Sequence, residues 1–274
     1  MVRAQGLLGQ EDEVREALAM ESSQFLHGPV VAQGARDEFL SRVWHAVIIS
    51  FMIPAGSSAL KAILGINAAF HDSSAAVVAQ GRLSVLAEEE RYSRVRGAKR
   101  ARVEATADLP YQAISRALDA AGVSFADLDC VAYSFDPELR MRALGSAPED
   151  PGVPEDGYGG RRGEKRFREL ILRTEELLAS RYGRRVPVVF IPHHEAHMAS
   201  AYYSCPWEET ALLAMDGIGE TDTCVWGLGR AGRVERIGSI GYPHSLGFLW
   251  ESMTRWLGLQ ANQDEGTVMA LAAV

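Results

Sequence analysis

The chain has 274 residues, with 28 Lys and Arg against 36 Asp and Glu and a formal net charge of −8. That excess of negative charge argues against a surface for nucleic acid or anionic membrane, whose phosphates it would repel. The length admits one large domain or two small ones. Cys130, Cys205 and Cys224 are an odd number, widely spaced in apolar settings, and read as reduced core thiols of a cytoplasmic protein rather than a disulfide set or zinc knuckle.

In chain order, residues 1–60 show helical periodicity at Glu11 to Met20 and a further helical piece at Asp37 to Trp44. They are expected to form a poorly ordered extension, the alternative being a docking segment. The apolar run from Val43 to Pro54 is interrupted by His45 and falls short of a bilayer span. Strands are expected at Ala62 to Ile66 and Ala75 to Ala79, around the small and polar tip Asn67-Ala-Ala-Phe-His-Asp-Ser-Ser. An amphipathic helix over Leu109 to Ala121 precedes a strand at Val131 to Tyr133. Asp136 to Arg162 is rich in Pro, Gly and charge and reads as a long exposed loop. Glu164 to Arg181 places Phe167, Leu170, Ile171, Leu177 and Leu178 at helical spacing. Further strands are expected at Val188 to Phe190, Ala211 to Met215 and Cys224 to Leu228.

Two junctions carry candidate chemistry. The strand ending at Ile191 delivers Pro-His-His-Glu-Ala-His, in which His193 and His197, four apart, share one face of a helix. The strand ending at Met215 delivers Asp216 into a turn containing Gly217 and Gly219. Two imidazoles and a carboxylate suit a borderline divalent ion such as iron, zinc or manganese. By itself the His-x-x-x-His spacing more often belongs to residues that cap and solvate a strand-to-helix junction; the Asp-Gly-x-Gly turn shifts the reading toward a site. Two small-residue hairpin tips, one near His71 and one at Asp216, also match the way actin-like ATPases pinch a nucleotide between two halves.

Seven ordered segments, Ile63 to Val77, Glu88 to Arg94, Leu109 to Ile114, His193 to Tyr203, Met215 to Glu220, Pro243 to Gly247 and Asp264 to Ala272, together resemble the N-terminal region of the nodulation-type and antibiotic O-carbamoyltransferases. Their first domain is similar to the ATPase-like domain of tRNA threonylcarbamoyl transferases. The resemblance implies an α/β actin-like ATPase (ribonuclease H-like) fold over residues 61–274, with a mixed sheet flanked by helices and an incomplete second half. It also implies a reaction in which carbamoyl phosphate and ATP give carbamoyl-adenylate in a YrdC-like domain. The carbamoyl group then passes to a hydroxyl of a sugar, antibiotic or other small molecule.

Carried over by motif, His193, His197 and Asp216 correspond to metal ligands, with iron(II) favoured. His194 stands beside them rather than on the ion. Asp72, Ser73, Gly217, Gly219 and Glu220 would lie near the ATP phosphates, with Arg91 and Arg94 as anion contacts. His71 on its own reads as a turn residue hydrogen-bonded to Asp72; the resemblance implies a base for the acceptor hydroxyl. The chain departs from the family at Thr267, where Lys is usual, and at Ala270, where Gly is usual. It stops at Val274, before a further aspartate ligand, the adenosine-binding half and the YrdC-like domain. The expectation is therefore an enzyme part needing a separately encoded C-terminal part and inactive alone. A non-catalytic remnant or binding subunit is the alternative, and a stand-alone metal hydrolase the third reading.

Overall fold

The computed structural model describes residues 62–144 and 153–272; the expected extension at 1–60 and the features read in it lie outside them. Strands β1 (Ala62–Asn67) and β2 (Ser74–Ala79) are almost wholly buried. Their unbroken runs of small and branched apolar residues suit inner strands covered on both faces. Gln80 and Gly81, both with positive φ, close a two-residue turn into β3 (Arg82–Glu88), the backbone form that right-twisted hairpins require. β4 (Cys130–Tyr133) lies parallel to β1, and β5 (Val188–Phe190) lies parallel to β4. The order is β3-β2-β1-β4-β5, with β2 antiparallel to both neighbours. This is the sheet of the ribonuclease H-like, actin-like ATPase fold, as expected.

Helices α1 (Glu89–Ser93), α2 (Tyr111–Ala121), α3 (Pro137–Leu144), α4 (Arg161–Leu172) and α5 (Thr174–Tyr182) occupy the connections. The main core joins Leu64, Ile66, Val77, Val131 and Tyr133 of the sheet to Ile114 and Leu118 of α2, Phe167 and Ile171 of α4, and Leu178 of α5. Three expectations are corrected here. The stretch read as an exposed loop over 136–162 contains α3, opened by Asp136, whose carboxylate accepts the Glu138 and Leu139 N–H groups at 2.9 and 3.0 Å. Pro137 takes the first helical position, where its missing N–H is harmless. The single helix read over 164–181 is two, divided at Arg173, where the Thr174 hydroxyl donates back to the Ile171 carbonyl at 2.7 Å. Of the three free thiols only Cys130 is buried; Cys205 and Cys224 are half-exposed.

Helix α6 (His193–Ser204) lies between this sheet and a second one. Ala196 and Ala199 pack on Ile63, Cys130 and Ala132, while Met198 and Tyr202 pack on Leu212, Ala214 and Val225. The second sheet is an antiparallel meander of β6 (Glu209–Met215), β7 (Asp222–Arg230) and β8 (Arg233–Gly241). It repeats the β1–β3 arrangement, including a two-residue turn with positive φ, here Ala231-Gly232. Helices α7 (Leu246–Trp256) and α8 (Glu265–Leu271) follow. Among the described residues no parallel strand joins this second sheet.

Candidate metal centre and its surroundings

The candidate residues follow the carboxyl ends of β1, β5 and β6, the usual place for a site in such sheets. After β1, the Asn67 amide donates to the His71 and Asp72 carbonyls at 3.3 and 3.1 Å and accepts from the Ser134 hydroxyl at 3.1 Å. Phe70 anchors the tip by packing its ring against Phe135, Tyr158 and Phe167. Asp72 adopts φ 51°, a conformation short polar residues tolerate, and its N–H donates to the Gly97 carbonyl at 2.8 Å. Its carboxylate meets His71 Nδ1 at 2.7 Å. Burial alone would lower the His71 pKa, but the hydrogen bond and charge of Asp72, with the charges of Asp216 and Glu265, raise it. Ser73 is buried, and its hydroxyl has no hydrogen-bonding partner among the described residues.

The trio His193, His197 and Asp216 converges, with its donor atoms all within 4.8 Å of one another. Asp216 Oδ2 is 2.7 Å from His193 Nε2 and 3.4 Å from His197 Nε2, and the two nitrogens are 3.2 Å apart. Ligands held at about 2.0–2.2 Å on one ion stand at roughly these separations from each other. The donor set also fits a cation by its hydrogen bonding. His193 Nδ1 faces the Ser134 carbonyl at 3.3 Å, which places a proton on Nδ1 and directs the Nε2 lone pair toward Asp216. His193 Nε2 and the Asp216 carboxylate then face each other as acceptors, and a proton or a metal ion must stand between them.

The charge states follow the same geometry. Burial alone would raise the Asp216 carboxyl, but hydrogen bonds and charge from both imidazoles hold it well below the usual range. Burial opposes charge on His193, yet Asp216 and Glu220 outweigh it and raise its pKa. His197 is lowered, by burial first and by the neighbouring His193 charge. His194 is not part of the trio. It is buried against Gly219, and burial first, then the neighbouring His193 and His197, push its pKa down to about 3 against the opposing charge of Asp216 and a backbone contact at Thr223.

In the second turn the buried carboxylate of Glu220 accepts the N–H of Asp136 at 2.8 Å and the N–H of His193 at 3.0 and 3.1 Å. It thus caps α6. The Arg91 guanidinium pairs through Nε with Glu88 at 2.5 Å on the exposed face of α1. Arg94 serves as the left-handed C-cap of α1. The basic residue that does reach toward the α8 motif is Arg96, paired with Asp264 at 3.0 Å. Gly217 and Gly219 form the turn as expected.

Several supporting residues carry no legible signal or were read without a role. The Ser245 hydroxyl donates to the Asp216 and Gly217 carbonyls and caps α7 by accepting the Phe248 N–H at 3.0 Å. Gly247 is pressed so close that a Cβ there would stand 2.4 Å from the Gly217 nitrogen. Lys99, buried, donates to the carbonyls of Ala68, Ala105 and Asp108 at 2.6, 2.8 and 3.2 Å and so ties the first hairpin tip to the segment before α2.

An actin-like α/β frame with a two-histidine, one-carboxylate cluster between its sheets defines the class of protein. The model of the family described as carbamoyltransferase N-terminus matches residues 62–274, and the chain belongs to that family. It is similar to the nodulation protein NolNO of Sinorhizobium fredii, 29% identical over 213 residues that cover 75% of this chain and 28% of that protein. It is also similar to an uncharacterized protein, sll1178, of Synechocystis, 31% identical over 217 residues that cover 77% of this chain and 34% of that one. The chain thus spans about a third or less of the length of these curated relatives. Among solved structures it is similar to YeaZ from Pseudomonas aeruginosa at 18% identity and a TM-score of 0.37, covering 67% of this chain and 68% of that one. The fold assignment rests on the order and direction of the strands. No helix of the described residues is long and apolar enough to cross a membrane.

Proposed function

We propose that residues 61–274 are the N-terminal, ATPase-like part of a carbamoyltransferase that moves a carbamoyl group to a hydroxyl of a sugar, antibiotic or other small molecule. The observation that carries this is the family match over the whole of 62–274, with the histidine–aspartate trio inside it. His193, His197 and Asp216 would hold a divalent ion, iron(II) before zinc or manganese. When bound, the ion supplies Lewis acidity and neutralises phosphate charge. His71, with Asp72 on its Nδ1, takes the proton of the acceptor hydroxyl at its Nε2. The hydroxyl oxygen bonds to the carbamoyl carbon, the bond from that carbon to the adenylate oxygen breaks, and AMP leaves with the electron pair. Gly217 and Gly219 let backbone approach the nucleotide phosphates, and the Ser73 hydroxyl is a buried polar group in the same tip.

A further carbamoyltransferase part is the proposed partner. Supporting it, α7 exposes Leu246, Leu249, Trp250, Met253 and Trp256 along one stripe, and the second sheet exposes Leu213, Met215, Ile237 and Ile240. Contiguous apolar surface of this kind marks an interaction face. The burial of Glu220 on backbone N–H groups favours a second reading, a binding subunit that holds metal without catalysis. Incubation with ATP, carbamoyl phosphate, iron(II) and amino-sugar acceptors separates them. Carbamoylated product is expected only when the C-terminal part of a longer relative is added. Product from the chain alone would refute the need for a partner, and none in either case would leave the binding subunit.

A further inference from the structure

Arg140 and Glu164 lie 24 residues apart, on α3 and α4, and both are buried. The guanidinium grips the carboxylate with two parallel bonds, Nε to Oε2 at 2.6 Å and Nη2 to Oε1 at 2.5 Å. Its remaining arm, Nη1, donates to the Gly219 carbonyl at 3.0 Å and the Glu220 carbonyl at 3.1 Å. These two carbonyls belong to the turn that begins at Asp216. The Glu220 side chain, in turn, accepts the N–H of His193 and that of Asp136, immediately before α3. One planar cation therefore meets α3, α4 and the Asp216 turn, and through Glu220 it is linked to the first residue of α6. A buried ion pair is a poor source of stability, because desolvation offsets much of the attraction. Its value lies in fixed geometry, which the fork of an arginine supplies and a lysine does not.

We propose that the buried Arg140–Glu164 pair is a positioning device that sets the distance between the Asp216 turn and the two histidines of α6. Arg140 touches none of the three candidate ligands; it acts through the Gly219 and Glu220 carbonyls and through the carboxylate that holds the His193 N–H. Without the fork, the turn keeps the Glu220 bond to the His193 N–H and the Ser245 bonds but loses the two contacts that tie its Gly219 and Glu220 carbonyls to α3 and α4. Groups that orient metal ligands through hydrogen bonds typically cost about 10- to 100-fold in metal affinity when removed, and Arg140 acts at one further remove, through the Glu220 carboxylate. This inference rests on the metal reading above, so its test includes a readout that needs no metal.

The test uses the full chain with three changes: Arg140→Lys, the apolar pair Arg140→Met with Glu164→Met, and a control pair Arg168→Met with Glu138→Met. The control removes another ion pair between the same two helices, half-exposed and with no bond to the turn. Cobalt(II) titration followed by its visible spectrum should show affinity ~10- to 100-fold weaker in both Arg140 variants, with an altered band shape, and no change in the control. Amide exchange at Gly219 and His193, measured without metal, should rise roughly ten-fold or more in the Arg140 variants only. The double apolar variant keeps the test valid if Arg140→Lys fails to fold, since uncharged replacements of buried pairs commonly fold. Unchanged exchange in the Arg140 variants, or an equal rise in the control, overturns the proposal. If the unmodified chain binds no cobalt, the metal reading fails, and the exchange rates still decide whether the clamp holds the turn.

Discussion

Replacing Gly247 with alanine sets two physical expectations in direct opposition. Gly247 is the second residue of α7, and helix propensity alone favours alanine over glycine by about 1 kcal/mol. The structure demands the reverse. A Cβ would stand 2.4 Å from the Gly217 nitrogen, 2.6 Å from the Asp216 carbonyl carbon and 2.6 Å from the Gly217 Cα. All three are backbone atoms, so no side chain can swing aside, and α7 must withdraw by about 1 Å to restore ordinary contact. Withdrawal stretches the Ser245 hydroxyl bonds to the Asp216 and Gly217 carbonyls, the second of which is 2.7 Å long. Overpacking of this kind destabilises by about 1–3 kcal/mol. Urea denaturation should therefore show Gly247→Ala less stable than the parent despite its better helix propensity. Metal affinity should fall as well, because the displaced turn carries Asp216. Gly122→Ala provides the comparison: no atom lies within 4 Å there, so only its positive φ opposes the change. A Gly247→Ala protein as stable as the parent or more so would refute the close packing of α7 on the turn.

His71 should titrate above its ordinary value in the parent and lower in Asp72→Asn than in the parent, because the hydrogen bond and charge of Asp72 are lost; imidazole NMR reads both. The sign for stability follows: the His71–Asp72 contribution is full below the unfolded value near 6.5 and is lost as pH rises through the raised folded value, which unfolding of the two proteins across that range would show. Lys99→Met leaves the buried Ala68 and Ala105 carbonyls without this donor, as well as the more exposed Asp108 carbonyl, and should destabilise by about 2–3 kcal/mol, far more than a surface lysine change, as measured by denaturant midpoint. Leu249→Glu combined with Trp256→Glu should weaken co-sedimentation with the C-terminal part of a longer relative without lowering the unfolding midpoint, since both side chains are exposed.

The parts of the fold that were legible are those in which local sequence suffices. β1, β2, β4, β5 and β6 are short apolar runs, and the observed strands match or enlarge the expected ones by a residue or two. β3 and β8 were hidden because their turns are Gln80-Gly81 and Ala231-Gly232, not the Asn-Gly or Asp-Gly that mark such hairpins, and because both strands carry exposed polar residues. Helix α3 was obscured by charge and by Pro137, though Asp136-Pro137 is itself a helix-start signal. The histidine pair and Asp216 were legible because four-residue spacing and a strand end fix their positions locally. The roles of Glu220, Arg140 and Glu164 were not, since each depends on partners 24 to 84 residues away in sequence. Nothing in a single charged residue announces that it will be buried.

The account turns on whether His193, His197 and Asp216 together hold one divalent ion. Equilibrium dialysis of the purified chain against iron(II), zinc and manganese, followed by elemental analysis, measures this directly. One equivalent is expected in the parent, with loss of that equivalent in the His193→Ala, His197→Ala double variant, because a single carboxylate cannot retain the ion. Equal metal content in the two proteins would contradict the site and the chemistry built on it.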